Sequence, residues 1–87
     1  MKVHAIVARN IRKLRVERGI SQENLAVDAE IDRTYVSRLE RGLENPTIGV
    51  LERIAAALEI EIMQFFVRPK VGEKPPKPLA GGRHRKV

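Results

Sequence analysis

The sequence predicts an all-α protein in which five short helices precede a basic tail. Apolar residues recur at helical spacing, as at Val7, Ile11 and Leu14, which lie four and then three residues apart. Residues that favour helix starts precede other apolar stretches. Ser21, Asp32 and Thr47 can each accept a hydrogen bond from an unpaired helix N–H. We therefore expect helices over residues 4–18, 22–29, 33–41, 48–58 and 61–66.

Composition limits the chain to one small domain. Its 87 residues contain no cysteine, which excludes disulfides and thiolate metal sites and suits a reducing cytoplasm. No apolar run approaches the length of a membrane span, so we expect no membrane partner. The net charge of +6 is unevenly placed, because residues 1–67 carry ten Lys/Arg and ten Asp/Glu. The sequence thus divides into a balanced domain, 1–67, and a basic tail, 68–87.

The tail is rich in Pro, Gly, Lys and Arg and has little to bury, so we expect disorder over residues 68–87. Three roles remain open for it. It could be a solubilising segment, an arm that adds affinity for any DNA by releasing counterions, or a nuclear localisation signal built on RHRK.

The stretch from Ser21 to Gly42 predicts two short helices joined by a tight turn. Leu25 and Ala29 form part of an apolar stripe on the first helix, and Val36 and Leu39 do so on the second. The residues of the second helix expected to face outward are Arg33, Thr34, Tyr35, Ser37, Arg38 and Arg41. An arginine and a threonine open that helix, which suits it to entering the major groove of DNA.

Four segments in this order, SQENLA, RTYVSRLERG, NPT and LERIAAAL, resemble the Cro/cI-type (XRE-like) helix-turn-helix family. The similarity extends over roughly residues 5 to 66. It is closest to small bacterial and phage repressors and to restriction-modification controller proteins. The resemblance implies a compact five-helix, lambda-repressor-like domain. It also implies a transcription regulator specific for double-stranded DNA sequences, a dimeric repressor or autoregulator in the bacterial cytoplasm, with helix 3 in the major groove of a palindromic operator.

The resemblance and helix geometry together assign DNA-contacting residues. The positions expected to contact bases are Arg33, Thr34, Ser37 and Arg38. Those expected to contact the DNA backbone are Gln22, Tyr35, Arg41, Asn45 and Thr47. For the tyrosine, packing of the ring with its hydroxyl on a phosphate and contact with a base are both compatible with the sequence.

Two further features follow from the resemblance. Arg15 and Glu40 match positions that form an ion pair between helices 1 and 3, although a solvated Arg15 is the alternative. Glu30 stands where the family has a glycine in its turn, and Glu59 replaces another common glycine. We therefore expect the backbone at Glu30 to be left-handed or strained.

Helix 5 is more apolar than a short helix in a small domain requires. We expect Phe65 to lie in the core, leaving Ile62 and Phe66 as candidates for a two-fold dimer interface. The alternative is that the domain core accommodates all of these side chains.

The sequence offers no basis for catalysis. Its two histidines, His4 and His84, lie near opposite ends of the chain, and no glycine-rich phosphate loop is present. We therefore expect no enzyme activity, no metal and no cofactor. The alternative function is an antitoxin-like or bridging module whose main partner is another protein. RNA binding is a weaker alternative, because the chain has few aromatic residues for stacking bases.

Overall fold

The computed structural model describes residues 2–70, 72, 74 and 75. Within them the chain forms four α-helices and one 3₁₀ helix, which confirms the all-α class. The α-helices are α1 (Val3–Glu17), α2 (Gln22–Ala29), α3 (Arg33–Glu40) and α4 (Ile48–Leu58), and the 3₁₀ helix is Ile62–Phe66.

Three of the predicted helices need correction. The first begins one residue earlier than expected, with Lys2 as its N-cap, and ends one residue earlier, because Arg18 is its C-cap and Gly19 then takes a left-handed φ of 67°. The third ends at Glu40, with Arg41 as its C-cap. The fifth begins one residue later than predicted, because Glu61 is its extended N-cap. It is a 3₁₀ helix, and its first turn closes with a hydrogen bond from Gln64 N–H to the Glu61 carbonyl, three residues back. Five residues are typical of the short lengths at which 3₁₀ geometry occurs.

Side-chain caps begin three of the α-helices where the sequence predicted them. Ser21 Oγ accepts a hydrogen bond from Asn24 N–H at 3.0 Å. Asp32 Oδ2 accepts one from Thr34 N–H at 3.1 Å. Thr47 Oγ1 does the same for the first turn of α4. Each cap satisfies an N–H group that the helix itself leaves unpaired, and so fixes where the helix starts.

The hydrophobic core lies between the five helices. Its fully buried side chains come from all five elements, and Phe65, predicted to be a core residue, is 0% exposed. From α3 the core receives Val36 and Leu39, both buried. Since these two side chains fix the inward face of α3, its first turn and its opposite face lie at the surface.

A buried asparagine joins the 3₁₀ helix to α1. Asn10, 6% exposed, donates through Nδ2 to the Phe65 carbonyl at 2.8 Å and to the Val67 carbonyl at 2.7 Å. The two hydrogens of one amide nitrogen thereby satisfy two carbonyls at the end of the domain. The sequence pattern carries no signal for this role of Asn10, because only the fold brings positions 10 and 65 together.

Glu30 has a left-handed backbone, with φ 59° and ψ 46°, so the prediction made for it is confirmed. Glu59 has nearly the same conformation, with φ 58° and ψ 45°. Each residue ends a helix in the manner usual for glycine. After Glu30, Ile31 N–H bonds to the Ala26 carbonyl at 2.9 Å and its side chain packs against the core.

Glu30→Gly should therefore stabilise the domain. A non-glycine residue in the left-handed region costs about 1 kcal/mol, and the substitution removes that cost. Glycine also has more conformational freedom in the unfolded chain, which offsets part of the stabilisation. The free energy of unfolding, measured with urea, should therefore increase by a few tenths to about 1 kcal/mol. Glu52→Gly, at an exposed right-handed position within α4, should instead destabilise by about 1 kcal/mol. A loss of stability for Glu30→Gly would contradict this account of the turn.

The predicted boundary at residue 67 and the predicted tail disorder concern residues 68–87, most of which lie outside the described part of the chain. In the described part, Arg9 on α1 donates through Nη2 to the Lys74 carbonyl at 2.5 Å. At this point the chain therefore lies beside α1.

Candidate nucleic-acid interface

The four residues predicted to contact bases share one face of α3. Positions 34, 37 and 38 lie one, four and five residues after position 33, which places all four on adjacent turns of the same side. Arg33, Thr34 and Arg38 are exposed, and Ser37 is half-buried. The fold thus presents one stripe of polar side chains on α3, opposite its buried Val36.

Arg33 is an exposed donor on this stripe. It opens α3 directly after its cap, Asp32. Within the described part of the chain, its guanidinium takes part in no hydrogen bond or ion pair. An arginine in this state can place two N–H groups on one base edge, because no internal partner has to be displaced.

Arg38, by contrast, is held by the loop that follows α3. Its Nε donates to Glu44 Oε2 at 2.7 Å, and the two side chains are 45% and 28% exposed. Its Nη2 approaches the Leu43 carbonyl at 3.4 Å. Glu44 is a partner that the sequence pattern did not predict. The positions are six residues apart across a helix end, so helical spacing gave no signal for the pair.

Tyr35 is half-buried and packs against the core cluster. Burial, and secondarily the nearby Glu44 carboxylate, raise the pKa of its phenol above 10.0. The hydroxyl is therefore protonated at neutral pH and can donate a hydrogen bond to an anionic oxygen. The packing of the ring fits the first of the two roles considered for this residue.

Gln22, the first residue of α2, is half-buried and donates through Nε2 to Glu40 Oε1 at 3.0 Å. An amide nitrogen carries two hydrogens, so one N–H is used inside the protein and the other can be directed outward. The first turn of α2 also has unpaired backbone N–H groups, which favour an anion.

The predicted ion pair between Arg15 and Glu40 is confirmed. Arg15 Nε donates to Glu40 Oε2 at 2.5 Å, and Nη2 donates to Oε1 at 2.9 Å. The side chains are only 6% and 2% exposed. Arg15 Nη1 also donates to the Ile20 carbonyl at 2.7 Å. Together with Gln22, this network connects α1, the start of α2 and the end of α3.

The remaining predicted backbone contacts lie after α3. Arg41 is exposed and its Nε approaches the Ser37 carbonyl at 3.4 Å. Asn45 and Thr47 are exposed in the loop before α4, where the threonine hydroxyl accepts from Val50 N–H at 3.1 Å. A hydroxyl that accepts in a cap still has its own hydrogen to donate.

The 3₁₀ helix divides its apolar side chains between the core and the surface. Phe65 is buried, and Ile62 is half-buried against the core cluster. Phe66 is 38% exposed, Met63 71% and Val67 60%. The exposed apolar side chains of this segment are thus Met63, Phe66 and Val67, whereas Ile62 is only partly exposed.

Within residues 2–70, 72, 74 and 75, no three His, Cys, Asp or Glu side chains are grouped so that they could hold a metal ion. In the same part of the chain, none of the helices combines the length and the apolar character needed to cross a membrane.

The sequence pattern of one protein family, described as helix-turn-helix, matches residues 11–65. The matched range begins in α1 and ends at Phe65. It therefore includes the whole of α2, α3 and α4 and nearly all of the described candidate interface.

Individual relatives are transcription regulators. A hypothetical transcription factor from Neisseria meningitidis is 41% identical over 68 residues, which are 78% of this chain and 64% of that protein. Its crystal structure superposes with a TM-score of 0.75 over 78% of each chain. The regulator SlrR of Bacillus subtilis is 36% identical over 62 residues, 70% of this chain and 41% of its own length. The chain thus spans less than two thirds of both relatives.

One similar structure includes DNA. It is a restriction-modification controller protein, crystallised as a tetramer in complex with its natural 35-base-pair operator. It is 41% identical to this chain, with a TM-score of 0.70, and the match covers 76% of this chain and 87% of that one.

Proposed function

Because the chain belongs to the helix-turn-helix family whose pattern it matches over residues 11–65, we propose that it is a sequence-specific, double-stranded DNA-binding transcription regulator. It acts by binding, as a repressor or autoregulator in the bacterial cytoplasm, and the proposal involves no catalysis, cofactor or metal. Similarity to a controller protein that binds an operator supports this function.

The observation that carries the proposal is that α3 is held firmly by the fold while its first turn is exposed. Its inner face is fixed by Val36 and Leu39 in the core and by the Arg15–Glu40 pair. Its first turn presents Arg33 and Thr34 to solvent. A rigidly mounted helix whose first turn is exposed can enter the major groove, where arginine reads guanine and the threonine methyl contacts thymine.

The neighbouring elements supply contacts that set register. The start of α2 with Gln22, and Arg41, Asn45 and Thr47 after α3, can bind phosphates on either side of the groove. Tyr35 can add a phosphate contact through its protonated hydroxyl. Ser37 and Arg38 extend the set of base-contacting residues by one turn of α3. These roles rest on exposure and position in the free protein.

Selection of bound fragments from a randomised DNA pool tests the function. We expect enrichment of one sequence, arranged as two inverted half-sites about 34–36 Å apart centre to centre. Recovery of unselected sequences, together with a stable complex between the protein and another cellular protein, would instead support the protein-interaction alternative.

A two-fold dimer is part of the proposal, since inverted half-sites need two copies of α3. We assign to a second copy the surface formed by Met63 and Phe66 of the 3₁₀ helix and by Val67, the residue that follows it, together with the partly exposed Ile62. Apolar residues grouped at one end of a small domain are typical of association sites.

We expect the wild type to sediment as a dimer and Phe66→Glu to yield a folded monomer that binds the selected operator weakly. A charged carboxylate cannot be buried between two copies without a partner. Ile62→Glu should also disrupt the dimer, but it will lower the stability of the monomer too, because Ile62 packs partly against the core.

Val27→Glu is the matched control, because it introduces the same charge at an apolar residue that is 69% exposed on α2. It should leave the sedimentation of the dimer unchanged. A wild type that remains monomeric at high concentration would refute the interface.

A further inference from the structure

The loop after α3 contains an acidic residue, Glu44, on the side of the protein assigned to DNA. Its carboxylate bonds to Arg38 at 2.7 Å and is close enough to Tyr35 to raise the pKa of that phenol. An anion at this position repels phosphates, so it works against binding to DNA in general. Because Glu44 weakens binding to DNA of any sequence, a favourable contribution to binding would have to come from its contact with Arg38.

The backbone around Glu44 is fixed relative to α3. Gly42 takes a left-handed φ of 76°, which allows Leu43 N–H to bond back to the Arg38 carbonyl at 3.0 Å. Pro46 restricts the residue before it to extended conformations. The carboxylate is therefore presented to the arginine from a short, closed turn, and little conformational freedom has to be lost to form the pair.

The pair leaves a defined part of the guanidinium available. Nε is used by Glu44 and Nη2 is close to the Leu43 carbonyl. Nη1 has no partner among the residues that the structure describes. The outer end of the guanidinium, Nη1 with the second hydrogen of Nη2, can still bond to the O6 and N7 atoms of guanine.

We propose that Glu44 is a specificity-determining positioning residue, which holds Arg38 toward a base edge and keeps its charge from nearby phosphates. The inference rests on the proposed DNA-binding function. When Glu44 is present, Arg38 contributes to binding mainly where a guanine meets its outer end. Without the carboxylate, the guanidinium can turn to the phosphates, which every sequence offers.

Glu44→Gln tests this, because glutamine keeps the shape of the side chain and removes its charge. The probes are the duplex that the wild type enriches from a randomised pool and a shuffled duplex of equal composition, each titrated at several salt concentrations. We expect the variant to bind the shuffled duplex more tightly. The slope of the logarithm of the binding constant against the logarithm of the salt concentration should become steeper by about 0.9 for one added phosphate contact. The ratio of the two affinities should fall about tenfold.

Two comparisons isolate the mechanism. In an Arg38→Ala background, Glu44→Gln should leave the affinity ratio unchanged, since its effect passes through the arginine. Glu23→Gln removes the same charge from an exposed position beside Gln22, in the first turn of α2. It should leave the ratio near that of the wild type.

The outcomes separate this inference from the proposed function. A wild type that binds both duplexes equally would refute the function itself. A selective wild type whose Glu44→Gln variant keeps the same ratio and salt dependence would overturn the role of Glu44. An equal effect of Glu44→Gln with and without Arg38 would also overturn it, since the carboxylate would then act on phosphates directly. Because exposed ion pairs contribute little to stability, the variants should unfold at nearly the wild-type temperature.

Discussion

Replacing either partner of the Arg15–Glu40 pair should destabilise the domain by about 3–5 kcal/mol, because the remaining charge stays buried without its partner. The side chains are 6% and 2% exposed. Among the described residues, Arg15→Met leaves the carboxylate with the Gln22 amide at 3.0 Å as its one remaining side-chain partner. Within the same part of the chain, Glu40→Leu leaves the guanidinium with the Ile20 carbonyl as its one partner. Urea unfolding of the two single variants measures the loss in the free energy of unfolding that each substitution causes.

The double variant, Arg15→Met with Glu40→Leu, should be more stable than either single variant, since two apolar side chains replace the pair and no charge is left buried. Arg38→Met is the matched control. It breaks an ion pair of similar length in which the arginine is 45% exposed, so its cost should be no more than about 1 kcal/mol. A double variant less stable than both single variants would contradict the account of the buried pair.

Arg33→Ala should cost about 1–3 kcal/mol of binding free energy at the selected operator and relax the preference at one base pair in each half-site. Among the described residues, Arg33 has no hydrogen-bond or ion-pair partner, so its removal should weaken DNA binding and leave the stability of the fold nearly unchanged. The measurement is a salt titration on the selected duplex and on a shuffled one.

Arg53→Ala provides the control for charge, because it removes an exposed arginine from α4, outside the reading helix. Any loss of binding affinity that this variant shows should be the same for both duplexes. Equal losses on the two duplexes for Arg33→Ala would remove this residue from the base-reading set. The same result for Arg38→Ala would favour protein interaction as the main function.

Deleting residues 76–87 separates bulk affinity from specificity. The deletion removes four Lys/Arg and no acid, and it keeps the Lys74 carbonyl that Arg9 contacts. If this part of the tail binds phosphates, affinity for both duplexes should fall alike, and the salt slope should decrease by about 0.9 for each lost contact. If the tail only keeps the protein soluble, neither quantity should change. The base preference should survive in either case.

The sequence by itself determined the elements whose signals are local. Ser21, Asp32 and Thr47 begin helices because their side chains reach an N–H only two or three residues ahead. The left-handed Glu30 could be predicted because the chain resembles a family with glycine there. The buried Arg15–Glu40 pair was likewise available only from that resemblance, since 25 residues separate its members.

Other features were decided by the tertiary structure, because they depend on how separate elements meet. The α1 packing that brings Asn10 to the carbonyls of Phe65 and Val67 leaves no periodic signal in the sequence. Ile62 turned out to be half-buried because the core beneath the 3₁₀ helix reaches it. The Arg38–Glu44 pair forms across the closed turn at Gly42, where helical periodicity ends. Base reading by Arg38 could therefore be predicted from α3 alone, whereas the carboxylate that restrains it could be found only in the folded chain.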